Sequence, residues 1–119
     1  MQDPLYRELI LEHWNNPQNY GILSDATIDA QDNNPLCGDD IRVMAKIENN
    51  TITDITFTAE GCAISKASAS LFTEKVKGQL VNNVKKISAE EVLEDLGISL
   101  TPARTKCALL VYTTLLKKL

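Results

Sequence analysis

Leu5, Tyr6, Leu9, Ile10, His13 and Trp14 recur every three to four residues, which predicts an amphipathic helix near the start of the chain. Asp3 suits the N-cap and Pro4 the first helical position. Asn15-Asn16-Pro17 ends the helix, because the residue before a proline avoids the α region. Residues 17–40 are rich in Asn, Asp, Gly and Pro and read mostly as loop, with a short edge strand near Ala26–Ala30. Unstructured stretches of this length are uncommon in compact domains unless they carry function. The period then changes to two. Ile41, Val43, Ala45 and Ile47 alternate with Arg42, Met44, Lys46 and Glu48, and Ile55, Phe57 and Ala59 alternate with Asp54, Thr56 and Thr58. Asn49-Asn50 supplies the turn of a β-hairpin with one core face and one mostly polar face.

The remainder reads as helices. Residues 63–77 form one that stops at Gly78, and small side chains at Ala63, Ala67 and Ser70 let it approach a neighbour closely. Ser88-Ala89-Glu90-Glu91 is a capping box opening a short helix that ends at Gly97. Thr101-Pro102 opens the last helix, with Lys117 and Lys118 in its final turn, where cations suit the dipole. From Ala108 to Leu116 this helix is apolar nearly all round, so it is buried on two sides or meets a partner. The order predicts an α+β fold: a small antiparallel sheet of about three strands with helices packed on one face. At 119 residues, positions 1–119 read as a single domain.

Composition narrows the function classes. Net charge is −4 with no basic stripe, which argues against nucleic-acid binding. No apolar run approaches the roughly 18 residues a membrane helix needs, and the first residues lack the pattern of a signal peptide. Three cysteines, an odd number with no secretion signal, read as reduced thiols in a cytoplasmic protein rather than a disulfide framework. No Cys-x-x-Cys pair exists, so zinc-ribbon and thioredoxin-type motifs are excluded.

Each cysteine sits at a predicted element boundary. Cys37-Gly38-Asp39 closes the long loop before a strand, and its spacing can put thiolate and carboxylate on one side, a donor mix that suits zinc or iron. It also reads as a loop cysteine beside a surface acid. Gly61-Cys62 lies where strand becomes helix, so free N–H groups and the dipole favour the thiolate. The alternative is a small buried residue at a corner. Cys107 lies in the first turns of the last helix, with Arg104 on its face and Lys106 nearby as cations that offset negative charge. It also reads as a core cysteine flanked by solvated charges. Together Cys37, Asp39, Cys62 and Cys107 would make a tetrahedral Cys₃Asp set. His13, the single histidine, reads as a partly buried structural residue, Tyr6 and Trp14 as packing residues, and Glu90-Glu91 as a solvated, capping face.

These residues stand within longer motifs: Glu12-His13-Trp14-Asn15-Asn16-Pro17, Asn34-Pro35-Leu36-Cys37-Gly38-Asp39, Gly61-Cys62-Ala63-Ile64-Ser65 and Pro102-Ala103-Arg104-Thr105-Lys106-Cys107. With them in this order the chain resembles, over nearly its whole length, the IscU/NifU-N/SufU family of iron–sulfur cluster assembly scaffolds. The resemblance implies that Cys37, Asp39, Cys62 and Cys107 line one solvent-accessible site. It implies that a cysteine desulfurase delivers persulfide sulfur there, to Cys107 or Cys62, with Cys107 favoured. A [2Fe–2S] cluster then forms and passes to acceptor apoproteins, so the chain is a scaffold or sulfur acceptor rather than a stand-alone enzyme. Thiolates hold iron and sulfide, and one carboxylate among them is a poorer ligand that lets the cluster leave. Two departures matter. Lys106 stands where IscU-type members carry His, and Leu100-Thr101-Pro102-Ala103-Arg104 replaces the stretch a dedicated chaperone reads, which counts against chaperone-assisted transfer. Arg104 and Lys106 instead look SufU-like, and SufU-type members hold Zn²⁺ and relay sulfur. The interval between Cys62 and Cys107, however, is too short for the SufU insertion and resembles IscU.

Overall fold

The computed structural model describes residues 4–35, 38–97 and 99–119, apart from the side chains of residues 4–6. Helix α1 spans Pro4–Asn15 and stops just before Pro17. Three strands follow, β1 (Ile28–Asn34), β2 (Asp39–Glu48) and β3 (Thr51–Glu60), then helices α2 (Ala63–Val76), α3 (Val81–Lys85), α4 (Ala89–Leu96) and α5 (Pro102–Leu116). The sheet is antiparallel in the order β1-β2-β3. Asn49 and Asn50 turn the hairpin with φ of 50° and 60°, the left-handed pair that a type I′ turn requires.

The register explains which residues reach the core. Val43 stands opposite both Ala30 and Phe57. Ile52 and Ile55 are three residues apart, yet both are fully buried. A bulge resolves the parity: pairing shifts between Lys46 and Ile47, so Ile47 meets Ile52 and the inward face is recovered. Helices α2 and α5 lie on this face, α2 over β3 and α5 over β1 and β2. Ile41, Val43, Ile55 and Phe57 pack against Ala69, Phe72, Val76, Val111 and Leu115. Behind this layer α1 packs on α2, and α4 packs on α5 and α2. A second cluster of Ile10, Ile64, Ala67, Leu96 and Ala108 fills that seam. The nearly all-apolar α5 is thus buried on two sides. No helix among the described residues is long and apolar enough to cross a membrane.

Several expectations need correction. The edge strand is Ile28–Asn34, later and longer than Ala26–Ala30. Its polar positions are held by tertiary partners rather than propensity: Asp29 pairs with Arg42 at 2.6 Å, and Asp32 pairs with Lys117. Met44 is completely buried on the face expected to be polar. Asn19 and Gly21 bond to Phe57 at the β3 edge, while Thr27 bonds to Ala45 on the other side. The intervening residues therefore cross the sheet over the face the helices leave open. Trp14 is 42% exposed rather than packed, because α1 has α2 as its neighbour and Ile10 and His13 take that contact. Tyr6 lies outside the described side chains. The one-turn helix α3 was not expected, being too short to show a period. Lys117 is the C-cap of α5 rather than part of its last turn, and Lys118 follows it.

Candidate metal centre

The site is built where β2 begins, β3 ends and two helices start. Asp39 opens β2 on the inward side shared with Ile41 and Val43, so its carboxylate points toward the helices and is 1% exposed. At the far end of β3 the chain must turn over this carboxylate. Gly61 does so with φ of +131°, and a Cβ there would fall 1.9 Å from Asp39 Oδ1. The missing side chain is the space the carboxylate occupies.

Cys62 follows as the N-cap of α2. Its side chain caps nothing. Its backbone N–H instead donates to Asp39 Oδ1 at 2.7 Å, and its Sγ donates to Asp39 Oδ2 at 3.5 Å. In a capping box an acidic residue one turn along the same helix takes the N-cap N–H. Here a carboxylate from another strand takes it, at the positive end of the helix dipole. Cys107 sits in the second turn of α5, 1% exposed. Its Sγ donates to Ala103 O at 3.4 Å and accepts from Asn34 Nδ2 at 3.7 Å. Asn34 ends β1 and is itself buried. Strands β1 and β2, the turn after β3 and the starts of α2 and α5 thus each contribute a residue that positions or forms the group.

One donor atom from each of Asp39, Cys62 and Cys107 lies within 4.8 Å of the others. Ligands around a tetrahedral zinc with bonds of about 2.3 Å sit roughly 3.8 Å apart. The mixed sulfur and oxygen set therefore fits zinc or iron with a small inward movement of side chains. Cys37, the fourth expected ligand, lies outside the described residues. Asp39 and Cys107 are buried and Cys62 is partly buried.

Other expected participants stand apart. Arg104 and Lys106 are exposed on the first turns of α5. His13 is buried and belongs to a different network: its Nδ1 shares a hydrogen bond with Ser70 Oγ at 2.6 Å, and Ser70 Oγ accepts from Gln18 N–H at 2.7 Å. Among the described residues no Cys–His pair forms. Two positioning residues were missed. Asn34 stood inside a quoted motif, and its signal was an amide beside a proline at the end of a polar strand. The close approach at Gly61 had its signal in a glycine directly before a cysteine.

Comparison with known proteins agrees with this architecture. A family model described as the NifU-like N terminal domain matches residues 5–119. The zinc-dependent sulfurtransferase SufU of Bacillus subtilis is 36% identical over 134 residues, covering 97% of this chain and 89% of that one. That span exceeds the 119 residues here, so the relative carries additional residues. The iron–sulfur cluster assembly scaffold protein IscU of Aquifex aeolicus is 37% identical over 112 residues, covering 92% and 71%. The crystal structure of a nitrogen-fixing NifU-like protein (N-terminal) from Brucella abortus superposes with a TM-score of 0.78 at 22% identity, covering 95% and 90%. This last is a likeness of fold.

Proposed function

Because this chain belongs to the NifU-like N-terminal domain family, we propose that it is an iron–sulfur cluster assembly scaffold. In this reading it accepts persulfide sulfur from a cysteine desulfurase. It holds a [2Fe–2S] cluster on Cys37, Asp39, Cys62 and Cys107 and yields it to acceptor apoproteins. The observation that carries the reading is the convergence of Asp39, Cys62 and Cys107 within 4.8 Å from three separate segments.

The chain's own residues account for the steps. A thiolate attacks the outer sulfur of the donor's persulfide; the S–S bond breaks and the donor leaves as a thiolate, so no oxidant is needed. The greater exposure of Cys62 supports it, rather than Cys107, as the first sulfur to meet the donor. The start of α2 favours its anionic form. Buried Cys107 and the amide of Asn34 then form the inner wall that receives the cargo. Asp39 completes the set with an oxygen, a weaker hold on a soft cluster, which suits release. Arg104 and Lys106 lie outside the ligand group and supply positive charge to the surrounding surface. Reduced thiols of this kind belong in a cytoplasmic setting.

A second reading rests on the 36% identity to a relative named a zinc-dependent sulfurtransferase. There the same residues hold a resident Zn²⁺, and persulfide is relayed without cluster assembly. Zinc, when bound, would act as a Lewis acid that keeps the thiols deprotonated.

One experiment separates the two readings. The protein is reconstituted anaerobically with iron, cysteine and a desulfurase, both as purified and after zinc removal, and then assayed for metal, sulfide and visible absorption. The scaffold reading expects iron and sulfide in near-equal amounts with charge-transfer bands, lost in Cys37→Ser, Cys62→Ser or Cys107→Ser. The relay reading expects retained zinc, no cluster and persulfide on one cysteine. Neither cluster nor persulfide on the wild-type chain would overturn both.

A further inference from the structure

Among the described residues, Thr56 Oγ1, Ser65 Oγ and Thr114 Oγ1 are buried without a hydrogen-bond partner. Ser65 is the one beside the metal centre. It is 2% exposed and lies in the first turn of α2, three residues after the N-cap Cys62. Residues at these two positions are neighbours on the helix surface, the adjacency that a capping box exploits. Ser65 also heads the stripe that continues through Ala69, Phe72 and Val76 and packs on Ile41, Val43 and Phe57. Asp39 precedes Ile41 on the same inward face of β2. Ser65 thus stands at the end of the sheet where Asp39 and Cys62 meet.

The other two serines along this helix have employment. Ser68 Oγ donates to Ala108 O at 2.5 Å, and Ser70 serves His13 and Gln18. Ser65 differs from both in the metal-free chain, where its hydroxyl has no partner. Without metal, Cys62 offers two donors, and both go to Asp39. As a neutral thiol the Cys62 sulfur is only a weak acceptor, and the Ser65 hydroxyl makes no bond to it in the metal-free chain. A sulfur that binds a metal ion or cluster has lost its proton and becomes a charged, stronger acceptor.

We propose that Ser65 is a positioning residue of the metal centre, whose hydroxyl donates a hydrogen bond to the Cys62 sulfur once that sulfur is a bound thiolate. The inference rests on the reading that Asp39, Cys62 and Cys107 hold metal. Ser65 then does for the loaded site what Asp39 does for the empty one: it holds Cys62 in place.

The test uses cobalt(II) as probe, in the metal-free whole chain, with Ser65→Ala and Ser68→Ala compared. Ser65→Ala removes a hydroxyl that has no partner, so the metal-free variant should unfold at the wild-type urea midpoint or above it. Its cobalt affinity, from competition with a chelating indicator, should fall about 10- to 100-fold, as for other residues that orient metal ligands. The sulfur-to-cobalt charge-transfer band should move to longer wavelength, because a sulfur without a donor gives up electron density more readily. Ser68→Ala, whose hydroxyl is already used, should lower the midpoint of both forms alike and leave the band in place. Wild-type affinity and an unmoved band in Ser65→Ala would overturn the inference. So would an equal loss of stability with and without metal, which marks a hydroxyl that only supports the fold. Failure of the wild-type chain itself to take up cobalt would instead remove the metal-site reading, and the inference with it.

Discussion

Helix α2 meets the sheet in two different ways along its length. At its C-terminal end Phe72 and Val76 press on a dry layer of Ile52, Ile55, Val84 and Leu115. At its N-terminal end the same stripe reaches Cys62 and buried Ser65, and Cys62 bonds to a buried carboxylate. The first end gains stability from apolar area removed from water. The second holds a buried acid, an idle hydroxyl and two sulfurs, and it is kept in shape by hydrogen bonds and by a missing side chain at Gly61. Each end supplies what the other lacks: the dry end anchors the helix, and the polar end keeps donor atoms together without satisfying them fully.

The largest effect should come from the dry end. Phe72 is 2% exposed and also meets the edge of Tyr112 at 5.9 Å. Phe72→Ala should cost about 3–5 kcal/mol in urea unfolding. Cobalt affinity of the protein that remains folded should stay within a few-fold of wild type, since distant sites contribute nearly independently. Loss of metal binding in a still-folded Phe72→Ala would show that the two ends are one unit, and the contrast would break.

At the polar end the corresponding change is Gly61→Ala. The new Cβ collides with Asp39 Oδ1 and sits on a backbone at φ +131°. Strain of this kind costs about 1–3 kcal/mol. The functional loss should exceed the structural one, with cobalt affinity falling more than about 10-fold as Asp39 is displaced. A variant that is destabilised yet binds cobalt normally would show that the carboxylate has room elsewhere.

The two ends were not equally legible in the sequence. The hairpin could be read because alternation and Asn49-Asn50 are local signals. The bulge between Lys46 and Ile47 could not, because Ile52 and Ile55 break the period-two count and only cross-strand pairing restores it. The expectation for Trp14 failed for a similar reason: a helical stripe shows which residues are apolar, not how many neighbours the helix will have. At the site, Asp39, Cys62 and Cys107 announced themselves by chemistry and by position at element ends. Asn34, Gly61 and Ser65 did not, since an amide, a glycine and a serine gain meaning only from what folds against them.

The helix starts sharpen the contrast further. Helix α4 is capped within its own sequence: Ser88 Oγ accepts from Glu91 N–H at 3.1 Å. Helix α2 has no side-chain cap and depends on Asp39 from a distant strand. Ser88→Ala should therefore cost about 1 kcal/mol in thermal or urea unfolding. Metal affinity should be unchanged. A shift in metal affinity would tie α4 to the site through Leu96 and Ala108, which share a cluster with Ile64.

The smallest effect belongs to the edge strand, whose exposed ion pairs differ from the buried acid beside it. The Lys117 ammonium, by its hydrogen bond to Asp32, holds that carboxyl below its ordinary value of 3.8, helped by the Asn33 backbone N–H. A folded value below the unfolded one means the pair stabilises the protein above that ordinary value. The stabilisation is then lost as pH falls through the folded value. Lys117 is 62% exposed and Asp32 28%, so solvent screens the pair and its worth is under about 1 kcal/mol. Asp32→Asn should accordingly lower stability slightly at pH 7 in low salt. The gap to wild type should narrow in 1 M salt, where the Debye length is about 3 Å, and close below about pH 4. Metal binding at the neighbouring centre should respond far more steeply to acid, because its ligands must be deprotonated to bind at all. If Asp32→Asn weakened cobalt binding as well, the end of β1 at Asn34 would be positioned by this surface pair, and the boundary between scaffold and site would lie one residue pair further out.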